Sequence, residues 1–130
     1  MKVASGLVGF ILLAFPVWAH HATAAQYDVS TTISLKGTIS RIDWTNPHSH
    51  VYVDVKIENG NPESWIVEFP SPGAMIVAGL SRQLLVPGTP LTLEAYPSKP
   101  SADHNKTPRT ACAKAVTLSD GSRYAFVVGI

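Results

Sequence analysis

Four of the five histidines fall in two tight groups: His20 and His21 are adjacent, and His48 and His50 are two apart. Imidazole is the commonest metal-ligating side chain, so histidines in pairs point first to a transition metal. Extended backbone sets alternate side chains on one face, so a strand through residues 48–58 aligns His48, His50, Tyr52 and Asp54. Neighbours on such a face stand about 6.5–7 Å apart, close enough for two imidazoles to share one ion. His20 adds a further donor. Cleavage of a leader after Ala19 makes His20 the N-terminus, with a free α-amine beside its imidazole. Amine and imidazole nitrogens suit Cu(II), and Zn(II) is the second candidate. The expected metal ligands are therefore His20, His21, His48 and His50.

Other chemistry is sparse. Tyr52, Asp54 and Tyr96 lie on the polar phase of their strands and are the candidates for lining a ligand groove. Trp44, Trp65 and Phe69 lie on the apolar phase and read as core. His104 sits in a polar loop and reads as an exposed residue without a role. The single cysteine, Cys112, has no partner for an internal disulfide and reads as a buried, inert thiol within Ala111-Cys112-Ala113. There is no nucleophile motif, no glycine-rich phosphate loop, no paired-cysteine knuckle and no convincing carboxylate pair. Nothing in the sequence supports an enzyme.

The elements that must position these residues follow from periodicity. Lys2, the apolar run Val3–Phe15, Pro16 and the small residues of Val17-Trp18-Ala19 have the layout of a secretory signal. Residues 1–19 are expected to be removed, placing the protein in the periplasm or outside the cell. Ala22-Thr23-Ala24 offers a rival cleavage site, which would discard both His20 and His21. Without Lys2 the chain carries nine lysines and arginines against nine acids. That balance excludes a nucleic-acid surface and gives no basis for stable membrane attachment.

Residues 20–30 form a polar lead-in, and residues 31–130 read as one domain. Ile33, Leu35, Gly37 and Ile39 alternate with polar residues. The phase then slips by one before Ile42 and Trp44, the mark of a bent strand with a bulge near Ser40-Arg41. Val51, Val53, Val55 and Ile57 define a second strand, and Trp65, Val67 and Phe69 a third. Asn59-Gly60 marks the turn between them. Ser71 and Pro72 open a short helix, with Ala74, Met75, Val77, Ala78 and Leu80 as its apolar face. Leu91, Leu93 and Ala95 mark a fourth strand, residues 97–109 a long loop, and residues 110–118 a fifth strand. After Asp120-Gly121, Tyr124, Phe126 and Val128 form a last strand expected to close the barrel. The fold predicted is mainly β: a small OB-like barrel of five to six strands with one short helix between strands three and four.

The sequence resembles the exported bacterial proteins grouped as domain-of-unknown-function family 6152. The resemblance rests on His20-His21, Tyr27-Asp28, Leu35-Lys36-Gly37-Thr38, Trp44-Thr45-Asn46-Pro47-His48 and Tyr52-Val53-Asp54-Val55. It continues through Ser71-Pro72, Leu85-Val86-Pro87-Gly88 and Val116-Thr117-Leu118-Ser119-Asp120-Gly121. It implies export and a small β-barrel, and it implies no activity. Two functional expectations stand: a non-catalytic metal-binding protein using the paired histidines, or an interaction module that docks an envelope protein or small ligand through its barrel face.

Overall fold

The computed structural model describes residues 23–100 and 107–127. The leader segment 1–19, its cleavage sites after Ala19, His20, His21, His104 and Val128 lie outside them. Six strands follow in order: β1 (Ile33–Asp43), β2 (Ser49–Val55), β3 (Glu63–Phe69), β4 (Pro90–Pro97), β5 (Arg109–Leu118) and β6 (Arg123–Ala125). The helix Pro72–Val77 lies between β3 and β4.

The sheet runs β3-β2-β1-β4-β5-β6, and β3 also pairs with β5. All neighbours are antiparallel except β3 and β5, which run parallel from Trp65↔Arg109 to Glu68↔Cys112. That pairing closes five strands into the OB-like barrel expected. β6 does not close the barrel, contrary to the expectation for the last strand. It pairs with β5 over Ala115–Thr117, beyond the residues that bond β3. β5 is long enough to serve both neighbours, so closure falls to its first half and β6 covers the second.

Period-two alternation accounts for the core. Leu35, Ile39, Val51, Val53, Trp65, Val67, Phe69, Leu91, Leu93 and Val116 point inward and are buried. The phase slip in β1 is a bulge: Ile39 faces Val53 while Arg41 faces Tyr52, so Ser40 has no opposite residue. The extra residue returns Ile42 and Trp44 to the core side. Gly37 lies shortly before the bulge, where its bare Cα faces the β2 backbone.

The helix begins as expected. Ser71 is its N-cap, accepting from the Ala74 N–H at 3.2 Å, and Pro72 occupies the first turn. Its apolar face is narrower than expected. Pro72 and Met75 are buried, whereas Val77 is 90% exposed. Six residues are too few to hold a continuous face, and the chain reaches the core again only after Gly79. There a positive φ of 91° turns Leu80 inward.

A methyl group at Gly37 would collide with the Asp54 carbonyl oxygen and sit 2.7 Å from Val53 Cγ1. Gly37→Ala is expected to destabilise the fold by about 1–3 kcal/mol through strain at the β1–β2 contact. Urea unfolding followed by tryptophan fluorescence measures it, and an unchanged midpoint would refute the close approach.

Candidate functional site

Alternation in β3 turns Glu68 outward between buried Val67 and Phe69. Its partner on β2 is His50, and its partner on β5 is Cys112. Cys112 in turn faces Tyr96 on β4. Barrel closure therefore lays His50, Glu68, Cys112 and Tyr96 in one outward row across four strands. The row beside it holds Tyr52, Ile66 and Thr110.

The Glu68 carboxylate is the centre of this face. Its Oε1 lies 2.7 Å from His48 Nδ1, and its Oε2 accepts a hydrogen bond from the Tyr27 hydroxyl at 2.8 Å. The Glu68 side chain is 16% exposed and that of His48 is 41% exposed. At this distance the imidazole and the carboxylate are in ion-pair contact. A carboxylate beside one ring nitrogen of a histidine leaves the other to face a ligand, an arrangement used in metal binding and proton transfer.

Two segments bring His48 and Tyr27 to Glu68. The turn before β2 places the histidine. The Thr45 hydroxyl donates to the His48 carbonyl at 2.7 Å, and the N–H of fully buried Ser49 donates to the Pro70 carbonyl at 3.3 Å. Trp44 packs on the core, with the Arg82 guanidinium 5.1 Å from its ring. The Trp-Thr-Asn-Pro-His string is thus a ramp, apolar at its start and delivering an imidazole at its end.

The lead-in places Tyr27. Residues 23–26 are helical, with the Tyr27 N–H donating to the Thr23 carbonyl at 2.8 Å. The chain then runs beside the end of β4: the Asp28 N–H donates to the Pro97 carbonyl at 2.8 Å, and the Lys99 N–H to the Gln26 carbonyl at 3.0 Å. The Asp28 carboxylate accepts from Ser30 and Thr31. Those bonds hold its pKa below the ordinary carboxylate value. Tyr27, Tyr96 and Cys112 form a second apolar cluster outside the barrel, with Val29 against it. Burial, reinforced by the hydrogen bond to Glu68, raises the Tyr27 hydroxyl well above its usual pKa. Burial, then the Glu68 charge, pushes the Cys112 thiol up to about 12.

Between the lead-in and the sheet is a hollow of about 350 Å³, lined by Gln26, Tyr27, His50, Tyr52, Ile66 and Glu68 among others. The Arg41 guanidinium lies 4.0 Å from the Tyr52 ring centroid and covers one face of it. Of the residues expected to carry a site, His50 and Tyr52 line this hollow, and His48 contacts Glu68, which lines it too. Asp54 shares their face, but it is exposed and accepts from the Ser64 hydroxyl at 2.9 Å. Tyr96 is 7% exposed and packs with Tyr27 and Cys112. Its strand phase does point it outward, but the lead-in buries that part of the outer face. Among the described residues, no three of His, Cys, Asp and Glu are grouped so as to hold a metal ion.

Sequence reasoning assigned no role to Tyr27 or Glu68. The alternation of β3 does turn Glu68 outward, but its partners are 20 and 41 positions away. A lone tyrosine in a non-periodic lead-in carries no pattern.

The buried thiol provides a test of this geometry. An unfolded cysteine ionises near about 8.5. The folded value is higher, so the contribution of Cys112 to stability is full below that pH and lost as pH rises towards about 12. At pH 8 the native thiol should resist Ellman's reagent and react promptly in denaturant. Tyr27→Phe removes a hydrogen bond worth about 1 kcal/mol and should speed native-state labelling about fivefold. Fast labelling of the unaltered native protein would refute the cover.

The family comparison bears on nearly all of this face. Residues 9–107 match the model of a family of unknown function, DUF6152. The matched span includes the lead-in, the ramp to His48, β1 to β4 and Glu68, and it ends before β5, so the Val116–Gly121 stretch lies outside it. No curated protein and no solved structure matches the chain. Among the described residues no helix is long and apolar enough to cross a membrane. The match spans most of the sequence, and the chain belongs to this family of unknown function.

Proposed function

We propose that the chain is an exported, non-catalytic barrel protein that binds a transition metal, copper or zinc, on the face centred on Glu68. One observation carries the reading: His48 Nδ1 lies 2.7 Å from Glu68 Oε1, a contact that engages one ring nitrogen and makes Nε2 the donor atom in this reading. His50 stands opposite Glu68 on the neighbouring strand. Two histidines do not make a tight site, so further ligands must come from elsewhere.

The lead-in is their source in this reading. Tyr27 is bonded to Glu68, and His21 precedes Tyr27 by six residues. Six residues of chain reach at most about 20 Å, and about 9 Å if helical, a span over which the lead-in could carry a donor towards His48. The three-part leader supports export, with cleavage after Ala19 leaving the His20 amine free. The set His20, His21, His48 and His50 then supplies nitrogen donors of the kind copper favours.

A second reading keeps the same face without metal. The hollow beside Tyr52 and Ile66 has the size of a small-molecule recess, about 350 Å³, and would serve a small ligand or a docking side chain from an envelope protein.

Calorimetric titration of the mature chain, beginning at His20, with Cu(II) and Zn(II) separates the two. The metal reading predicts one site tighter than about 10 μM, weakened about tenfold or more by His48→Ala. Glu68→Gln is expected to weaken it about tenfold, because the carboxylate orients the ligand without touching the metal. Binding no tighter than about 10 μM, or unchanged in His48→Ala, would overturn it.

A further inference from the structure

A second recess lies away from the Glu68 face and has a different chemistry. It encloses about 550 Å³ against β1, β4 and β5, with Lys36, Lys56, Thr38, Thr92, Thr117 and Ser119 as its polar lining. The register explains why these residues meet. Lys36 pairs with Thr92, and Thr92 with Thr117, so the three form one outward row across three strands. Thr38 is the next outward residue on β1. Lys56 follows Val55, the partner of Gly37, and so flanks Lys36 from the β2 side. Gly37 presents bare backbone to the floor between them.

The charge here is one-sided. No carboxylate lines the recess. Among the described residues, neither Lys36 nor Lys56 is in an ion pair. Of the acids near it, Asp54, opposite Thr38, accepts from Ser64, Asp120 accepts from the Ser122 N–H at 2.9 Å, and Glu58, two residues after Lys56, is exposed and outside the lining. Glu94 is bound in a two-pronged pair with Arg123. Two like charges thus border a hydroxyl-lined cavity in a chain of formal net charge only +1. An anion in the cavity would relieve their repulsion.

We propose that this recess binds a soluble phosphate monoester. The Lys36 and Lys56 ammonium groups take the phosphoryl oxygens, and the threonine and serine hydroxyls take the hydroxylated remainder of the ester. The volume is that of a small-molecule pocket and exceeds the needs of free phosphate. The formal net charge of only +1 gives little basic field to hold the chain on an anionic bilayer, which favours a soluble ester over a lipid headgroup.

Amide NMR titration tests this with inorganic phosphate and glucose 6-phosphate as probes, against sodium chloride at matched ionic strength. Saturable shifts at Lys36, Thr92 and Thr117 are expected, tighter for the sugar phosphate than for phosphate. Lys36→Gln and Lys56→Gln should each weaken binding about tenfold while leaving the rest of the spectrum in place, and Lys36→Arg should retain it. Three results would overturn the proposal: no saturable shift by about 10 mM ligand, shifts reproduced by chloride, or unaltered binding in both glutamine variants. Lysine-dependent sedimentation with phosphatidylglycerol vesicles, without response to either soluble probe, would also overturn it and assign the recess to a lipid headgroup.

Discussion

The parallel pairing of β3 with β5 is the constraint on which the rest of this molecule depends. Four residue pairs, from Trp65↔Arg109 to Glu68↔Cys112, turn an antiparallel sheet into a barrel. Closure removes the exposed edges of both strands. It also puts residues from β2, β3, β5 and β4 in one outward row, which the order β3-β2-β1-β4-β5 without the β3–β5 pairing would not do. The junction is buttressed from outside. Arg109 forms an ion pair with Glu63 and lies 5.8 Å from the ring of Trp65. The site is therefore a product of closure: Glu68 has His50 on one side and Cys112 on the other because β3 has two partners.

Glu68 ties together parts of the chain that the barrel alone would leave separate. One oxygen takes Tyr27 from the lead-in and the other meets His48 from the turn before β2. Its low exposure strengthens both contacts, since a carboxylate withdrawn from water gains more from each partner and loses more without one. The same withdrawal from water raises the pKa of the Cys112 thiol, which packs with Tyr27. The lead-in is thus part of the site's architecture, because Tyr27 is held against Glu68.

Much of the fold was legible in the sequence because period-two alternation is a direct image of a half-buried sheet. The bulge in β1 could be read from the slip between Ile39 and Ile42, and the helix start from Ser71-Pro72. The role of the last strand was not legible. Alternation at Tyr124 and Phe126 shows a strand but not its partner, and β5 had two candidate edges. The site was half legible for the same reason. Phase placed His48, His50 and Tyr52 on one face, and it placed Tyr96 outward as well. It could not show that Tyr27 would cover Tyr96, or that Glu68 would join residues so far apart in sequence.

The central claim is that the Glu68 face is completed by histidines carried in on the lead-in, and it depends on where the leader is cut. Intact-mass and N-terminal peptide spectrometry of protein recovered after export measures this directly. The account predicts a mature chain beginning at His20, with both lead-in histidines retained. A chain beginning at Ala25 or Gln26 would contradict it, because His20 and His21 would be gone before the barrel reached its compartment.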